Sequence, residues 1–351
     1  MINLPKVQEA DLTNKTVLLR ADLDIPLIRA VSGQQSVISD DLRLRFSLET
    51  INFLLNKASR VIVIGHLGRP KGLDRSLSLK SVANWFAKNF KFQILNFKLG
   101  EFDGWEVGDK LIILENLRFY KGEEGNDSQF AKSLASLTDI YVNDAFASSH
   151  RAHASIVGAS SLIPHFAGLR LQKEVEELSA VLENPARPLT VIIGGAKIET
   201  KLPLVERMHH FADYVLVGGE LVEHDRELIA IQHEKIVGQK SAVFVADLLD
   251  NQKDITPHSV ENFLQIIERS KTVVWNGPMG VVEEVPFAKG TLEIAQGIIA
   301  SGCHSVVGGG DTVGYLNRQG LLEKFSFSST GGGAMLEFLS GATLPGLEAL
   351  S

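Results

Sequence analysis

Short, mainly apolar runs recur along the chain at residues 17–19, 61–64, 111–114, 140–142, 191–193, 214–217, 273–275 and 305–307. Runs of this length without polar alternation predict strands buried on both faces. Between them lie stretches of helical period. Leu44, Leu48, Ile51 and Leu55 follow one another at spacings that set a single apolar stripe against a sheet. Strand and helix in alternation predict an α/β fold of parallel sheets with covering helices. In such sheets ligands sit beyond the carboxyl ends of the strands, so the loops after each apolar run are where chemistry is expected. A polar helix over 173–182 carries Val175, Leu178 and Leu182 on one side and stops before Pro185 and Pro188. It reads as the connector between two domains, which suits a chain of 351 residues.

Composition narrows the function classes. The 35 Lys and Arg face 42 Asp and Glu, and a formal charge of −7 argues against a general nucleic-acid or membrane-surface binder. The single cysteine, Cys303, has no partner for an internal disulfide and reads as a buried structural thiol in a reducing, cytoplasmic setting. Residues 1–12 are interrupted by Pro5, Lys6, Glu9 and Asp11 and lack the apolar core of a signal peptide. No run approaches membrane-spanning length.

The unusual residues fall after the strands. In the first half, Arg20-Ala21-Asp22-Leu23-Asp24 follows one run and Gly65-His66-Leu67-Gly68-Arg69 another. Glu115-Asn116-Leu117-Arg118 and Asn143-Asp144-Ala145-Phe146 follow two more, with His150-Arg151-Ala152-His153 beyond and Arg43 at a helix start. Any one of these arginines is ordinarily a surface residue or part of an ion pair. Several Arg and His residues after different strands point instead to a shared anion site, because guanidinium forks match phosphate and carboxylate oxygens. No spacing resembles a zinc set.

In the second half, Gly194-Gly195-Ala196-Lys197 leads to Lys201, predicted to share a helix face with Lys197. Three further glycine loops read Trp275-Asn276-Gly277-Pro278-Met279-Gly280, Gly308-Gly309-Gly310-Asp311-Thr312 and Ser329-Thr330-Gly331-Gly332-Gly333. Glycines at helix starts expose backbone amides to phosphate oxygens. Asp311 offers a hard oxygen to magnesium and Thr312 a hydroxyl. A P-loop, a dinucleotide fingerprint, an Asp-Phe-Gly and a Gly-x-Ser-x-Gly elbow are all missing, which argues against P-loop NTPases, dehydrogenases, protein kinases and α/β-hydrolases.

Taken in order, these motifs resemble phosphoglycerate kinase over essentially the whole chain. The resemblance implies two doubly wound, Rossmann-like parallel-sheet domains: 1–170 for 3-phosphoglycerate and 188–335 for magnesium nucleotide. A connecting helix at 171–187 and a hinge would join them, and a segment at 336–351 would return to the first domain. It places Asp22, Leu23, Asp24, Arg43, His66, Leu67, Gly68, Arg69, Arg118, His150 and Arg151 on the acid substrate. Gly194, Ala196, Lys197, Lys201, Asn276, Pro278, Glu283, Gly309, Gly310, Asp311 and Thr312 would hold ATP or ADP. Arg43, Lys197 and Lys201 would surround the transferred phosphoryl group, and Asp311 would hold Mg2+. The partners implied are 3-phosphoglycerate and 1,3-bisphosphoglycerate, with no nucleic acid and no membrane, and the default is a monomer. The chain departs from the family pattern at Asp24, usually asparagine; at Thr200, commonly aspartate; and at Glu220, where a third glycine is usual. Gly65 and Ala147 replace serine and glycine, and the stretch from Glu220 to Trp275 is shorter than usual. These departures motivate a competing reading, a relative that binds nucleotide or an acidic metabolite without turnover.

Overall fold

A computed structural model describes residues 2–28, 36–195, 204–205, 207–208, 210–220, 222 and 241–351. The chain forms two units, Met1–Val175 with Thr343–Ser351, and Glu176–Ala342. The first contains β1 (Thr16–Arg20), β2 (Leu27–Ile28), β3 (Val37–Ile38), β4 (Arg60–Ile64), β5 (Ile94–Leu99), β6 (Phe102–Val107), β7 (Leu111–Leu114), β8 (Ile140–Asn143) and β9 (His165–Ala167). Seven of these make one sheet in the order β5-β6-β7-β4-β1-β8-β9, while β2 and β3 pair as a separate ribbon. From β7 to β9 the pairing is parallel, with Leu19 opposite both Val63 and Val142.

The wholly apolar runs are buried because helices cover both faces of a parallel sheet. β5 and β6 differ, since both pair antiparallel at the sheet edge. Polar residues such as Asn96, Lys98, Asp103 and Glu106 interrupt them, so no continuous apolar run marked them in the sequence.

Helix α1 (Leu42–Lys57) buries Leu44, Ser47, Thr50, Ile51 and Leu54, whereas Leu48 and Leu55 lie at the margin of the stripe. The expected line through Leu48 and Leu55 is thus rotated, and Leu54 rather than Leu55 enters the core beside Val17, Val61 and Val63. The covering helices α2 (Lys80–Phe90) and α3 (Ser128–Ala135) follow, the latter capped by Asp127, whose side chain accepts from Phe130 N.

Helix α4 (Leu169–Glu183) starts four residues before the expected 173, because Asp144 Oδ1 accepts the Arg170 and Leu171 amides at its first turn, at 2.9 and 3.3 Å. Its buried apolar side chains are Leu171, Val175, Leu178 and Val181, with Leu182 only partly covered. The boundary between the units falls within this helix.

The second unit holds β10 (Leu189–Ile193), β11 (Tyr214–Val217), β12 (Ala242–Val245), β13 (Thr272–Asn276), β14 (His304–Gly308) and β15 (Phe327–Ser328). All pair parallel in the order β12-β11-β10-β13-β14-β15. Its described helices are α5 (Pro257–Ile267), α6 (Lys289–Ser301), α7 (Gly310–Arg318) and α8 (Gly332–Ser340). Cys303, expected to be buried, is only half-buried after α6. Finally α9 (Pro345–Glu348) packs in the first unit, where Gly346 N donates to Ser149 O at 2.8 Å.

Two stability measurements follow from this packing. Leu54→Ala should lower the stability of the first unit by about 2–5 kcal/mol in urea unfolding, and Leu55→Ala by clearly less. Burial pushes the Asp144 carboxyl up to about 7 from an ordinary 3.8, so the folded state binds a proton the unfolded state has released. Stability should therefore fall as pH rises across that window, by at most about 1.4 kcal/mol per pH unit, and Asp144→Asn should flatten the slope.

Candidate active site

The anion-binding candidates of the first unit stand on neighbouring strands. β7, β4, β1 and β8 are adjacent, so the loops after Leu114, Ile64, Arg20 and Asn143 share one edge of the sheet. At its centre the Arg20 side chain is wholly buried. Its Nε donates to Ser155 Oγ at 2.9 Å, Nη1 to Ala21 O at 2.6 Å and Nη2 to His66 Nδ1 at 2.9 Å. Burial, and after it the neighbouring guanidinium groups of Arg20, Arg118 and Arg43, hold His66 well below its usual pKa, so its ring is neutral.

Gly68 ties two loops together. Its N–H donates to Asp24 Oδ1 at 2.8 Å and its carbonyl accepts Arg118 Nη1. Gly68 holds φ near 65°, a conformation that favours glycine. Arg118 is further fixed by its ion pair to Glu124, at 3.1 Å. Asn116, fully buried, cements the same corner: its Nδ2 donates to Leu67 O and Leu77 O at 2.8 and 2.9 Å, and its Oδ1 accepts Arg118 N.

Arg43 Nη1 reaches Asp22 Oδ1 at 3.1 Å across the loop after β1. Burial raises the Asp22 carboxyl above its usual range against the pull of Arg43, and its second oxygen is buried without a hydrogen bond. Arg151 Nε donates to His150 Nε2 at 3.2 Å, and burial with Arg151 lowers the His150 pKa to about 4. Arg69 is exposed, and among the described residues it makes no ion pair.

The structure thus gathers Asp22, Asp24, Arg43, His66, Gly68 and Arg118 through direct contacts, while Arg151 and His150 form a pair of their own. The Leu23 and Leu67 side chains are core residues, and both the amide and the carbonyl of Leu67 bond Asn116. The sequence places Arg20 and Asn116 in the loops singled out for their chemistry but assigns them no role, and it carries no local signal for Glu123 or Ser155. The carboxylate expected to oppose an anion, Asp24, has partners: the Gly68 amide holds one oxygen, and His66 Nε2 lies 3.7 Å from the other.

In the second unit glycine loops follow five consecutive strands. The loops after β11, β10, β13, β14 and β15 carry Gly218–Gly219, Gly194–Gly195, Gly277, Gly309–Gly310 and Gly331–Gly332. Gly219 has φ 67°, and a Cβ there would lie 2.5 Å from Gly195 N, so the two turns meet backbone to backbone. Gly194 N donates to Asn276 O at 2.9 Å. A Cβ on Gly309 would sit 3.2 Å from Asn276 Oδ1. Gly309 and Gly331 are the caps of α7 and α8, which leaves their first-turn amides for oxyanions. The Asn276–Pro278 loop does not open a helix directly; it runs through a short turn, and α6 starts only at Lys289. Asp254, buried, holds that excursion by accepting Gly290 N at 2.9 Å, and a Lys253–Glu284 ion pair at 2.8 Å braces the segment that carries exposed Glu283. Ala196, Lys197, Thr200 and Lys201 lie outside the described residues.

Asp311 is exposed in the first turn of α7 and has no ion pair among the described residues, while the Thr312 hydroxyl is buried without a hydrogen bond. No cluster of three or more candidate metal ligands occurs among the described residues. One free carboxylate beside phosphate-ready amides fits a magnesium ion that arrives on nucleotide phosphates better than one held in a protein cage.

Two parallel-sheet units, one presenting guanidinium and imidazole donors and the other backbone amides, define a protein that handles phosphorylated small molecules. Comparison with known proteins gives the family. The phosphoglycerate kinase family model matches residues 7–236 and 227–342. Phosphoglycerate kinase of Dictyoglomus turgidum is 39% identical over 392 aligned positions, covering 98% of this chain and 97% of that one. The enzyme of Wolbachia pipientis from Culex pipiens is 38% identical, covering 99% of each. The structure of phosphoglycerate kinase from Coxiella burnetii superposes with a TM-score of 0.81 at 32% identity over 99% of both chains. That from Pyrococcus horikoshii gives 0.81 at 28% identity, over 99% of this chain and 98% of that one. The chain belongs to the phosphoglycerate kinase family. The 392-position alignment exceeds the 351 residues present, so relatives carry segments that this chain lacks, and the family match is re-entered within 227–236, between Glu220 and Trp275.

Asp24→Asn should keep the acceptor for the Gly68 amide while removing a negative charge from the cationic corner. Phosphate, titrated by calorimetry, should bind about tenfold more tightly to that variant.

Proposed function

We propose that this protein is an ATP:3-phosphoglycerate 1-phosphotransferase that interconverts 1,3-bisphosphoglycerate and ADP with 3-phosphoglycerate and ATP in glycolysis and gluconeogenesis. The observation that carries the reading is the row of loops after β7, β4, β1 and β8, which brings Arg118, His66, Asp24 and Asp22 with Arg43 to one corner. Full-length relatives named phosphoglycerate kinase support an active kinase over a relative that only binds. In this reading Asp22, Asp24, Arg43, His66, Gly68, Arg69, Arg118, His150 and Arg151 take the acid, with Leu23 and Leu67 anchoring in the core the loops that carry them. Gly194, Ala196, Lys197, Lys201, Asn276, Pro278, Glu283 and Gly309 to Thr312 take the nucleotide.

A carboxylate oxygen of 3-phosphoglycerate attacks the terminal phosphorus of ATP, the bond to the ADP oxygen breaks, and no covalent enzyme intermediate is needed. Arg43, Lys197 and Lys201 balance charge on the equatorial oxygens, and the amides of the α7 turn hold the nucleotide's phosphates. Asp311 would hold a magnesium ion brought by the nucleotide, which would supply further charge neutralisation. Residues 1–170 and 188–335 serve as the acid and nucleotide domains, the helix Leu169–Glu183, overlapping the expected 171–187 stretch, as the connector, and the part of 336–351 from Thr343 onward as the returning segment. Closure about a hinge would exclude water from the transfer. A cytoplasmic monomer is the working form.

Turnover of 3-phosphoglycerate with MgATP in a coupled assay tests the reading, beside Lys201→Ala prepared identically. Wild-type turnover should fall about a hundredfold or more in the variant. Folded wild type that binds MgATP without turnover would establish the binding-only relative instead.

A further inference from the structure

Behind the acid corner lies a chain of buried polar groups that runs from Glu123 through Ser155 and Arg20 to His66. It begins at Glu123, which is completely buried in the 3-10 and turn segment after β7. Ser155 donates both its hydroxyl, to Glu123 Oε1 at 2.5 Å, and its amide, to Glu123 Oε2 at 3.0 Å. Tyr141 Oη donates to Ser155 O at 2.7 Å, so the serine is fixed on both sides. Its hydroxyl proton is committed to Glu123, which leaves the Oγ lone pairs to accept Arg20 Nε at 2.9 Å. Burial alone would raise Glu123, yet His153, Arg20 and Ser155 together hold its carboxyl below the usual value, ionised opposite the buried guanidinium.

The last link decides a proton position. A guanidinium has only donors, so the 2.9 Å contact between Arg20 Nη2 and His66 Nδ1 requires Nδ1 to offer its lone pair. A neutral imidazole carries one proton, which must then sit on Nε2. That nitrogen faces Asp24 Oδ2 at 3.7 Å, beyond hydrogen-bond reach, so the donor is left for a ligand. We infer that Glu123 and Ser155 are positioning residues that act through Arg20 to lock His66 as the neutral Nε2–H tautomer, a fixed hydrogen-bond donor for an oxygen of the acidic substrate.

The groups facing the ring are Arg20, Arg43, Arg118, His153 and Asp24, and none but Arg20 contacts Nδ1. Without the anchor, Arg20 could rotate and both tautomers would become accessible, one of which turns a lone pair toward the anion. This step rests on the acid site proposed above, whereas the tautomer itself does not depend on turnover.

Long-range 1H–15N correlation spectra of the full chain at neutral pH test the inference, with the His66 signals assigned by their loss in His66→Gln. Wild type should show the Nε2–H pattern. Ser155→Ala, and independently Glu123→Gln, should move those signals toward a tautomer mixture and raise the KM for 3-phosphoglycerate about fivefold, with kcat changed less. An Nδ1–H or doubly protonated ring in wild type would overturn the inference. So would an unchanged Nε2–H pattern in both variants. Wild type with the Nε2–H pattern but no turnover would remove the kinase reading and leave the tautomer assignment standing.

Discussion

A guanidinium without solvent must find acceptors inside the protein, and Arg20 sets this demand at the carboxyl end of β1, an inner strand of the first sheet. It is met by Ser155, by the Ala21 carbonyl and by His66, which come from three separate parts of the chain. Each acceptor is in turn constrained: Ser155 by Glu123 and Tyr141, His66 by the strand that ends at Ile64. The position of the imidazole, and through it the corner that Asp24, Gly68 and Arg118 complete, depends on this one buried cation. Removing such a cation would strand a buried carboxylate and several acceptors together, which is why networks of this kind behave as units.

The two sheets solve anion binding by different chemistry. In the first, side-chain cations and an amide donor converge, and the carboxylates Asp22, Asp24, Glu123 and Glu124 orient them. Planar forks held in this way are selective for the shape of an oxyanion as well as its charge. In the second, glycine turns clear the space above the strand ends and leave first-turn amides of α7 and α8 uncommitted. Amides carry no net charge and suit a chain of phosphates that brings its own magnesium.

Asp24 shows how a local departure is absorbed. A carboxylate among ligands for an acid looks unfavourable in sequence, because like charges repel. In the fold its Oδ1 takes the Gly68 amide, a bond that also sets the loop bearing Arg118's acceptor. The residue therefore has a structural use that is independent of its charge. Asp144 is comparable: it closes a strand in a motif read for its chemistry, yet its oxygen starts α4.

Much of this protein was legible in the order of its residues. Eight apolar runs marked the central strands because a strand covered on both faces has no position where a polar side chain can reach water. Glycine triplets marked turns because few other residues fit there, and the loops carrying Arg43, His66 and Arg118 were found because they follow those strands. The edge strand β5 and its neighbour β6 escaped notice, since their exposed positions admit polar residues and erase the run. What sequence could not settle was which loops become neighbours. Arg20 and Ser155 lie 135 positions apart, and Glu123 enters only through Ser155. Those contacts exist because β1 pairs between β4 and β8, and strand order is fixed by packing of the whole sheet rather than by any local pattern. Residue types were thus given by the chain, while partners, burial and the placement of a proton on His66 were decided only by the tertiary structure.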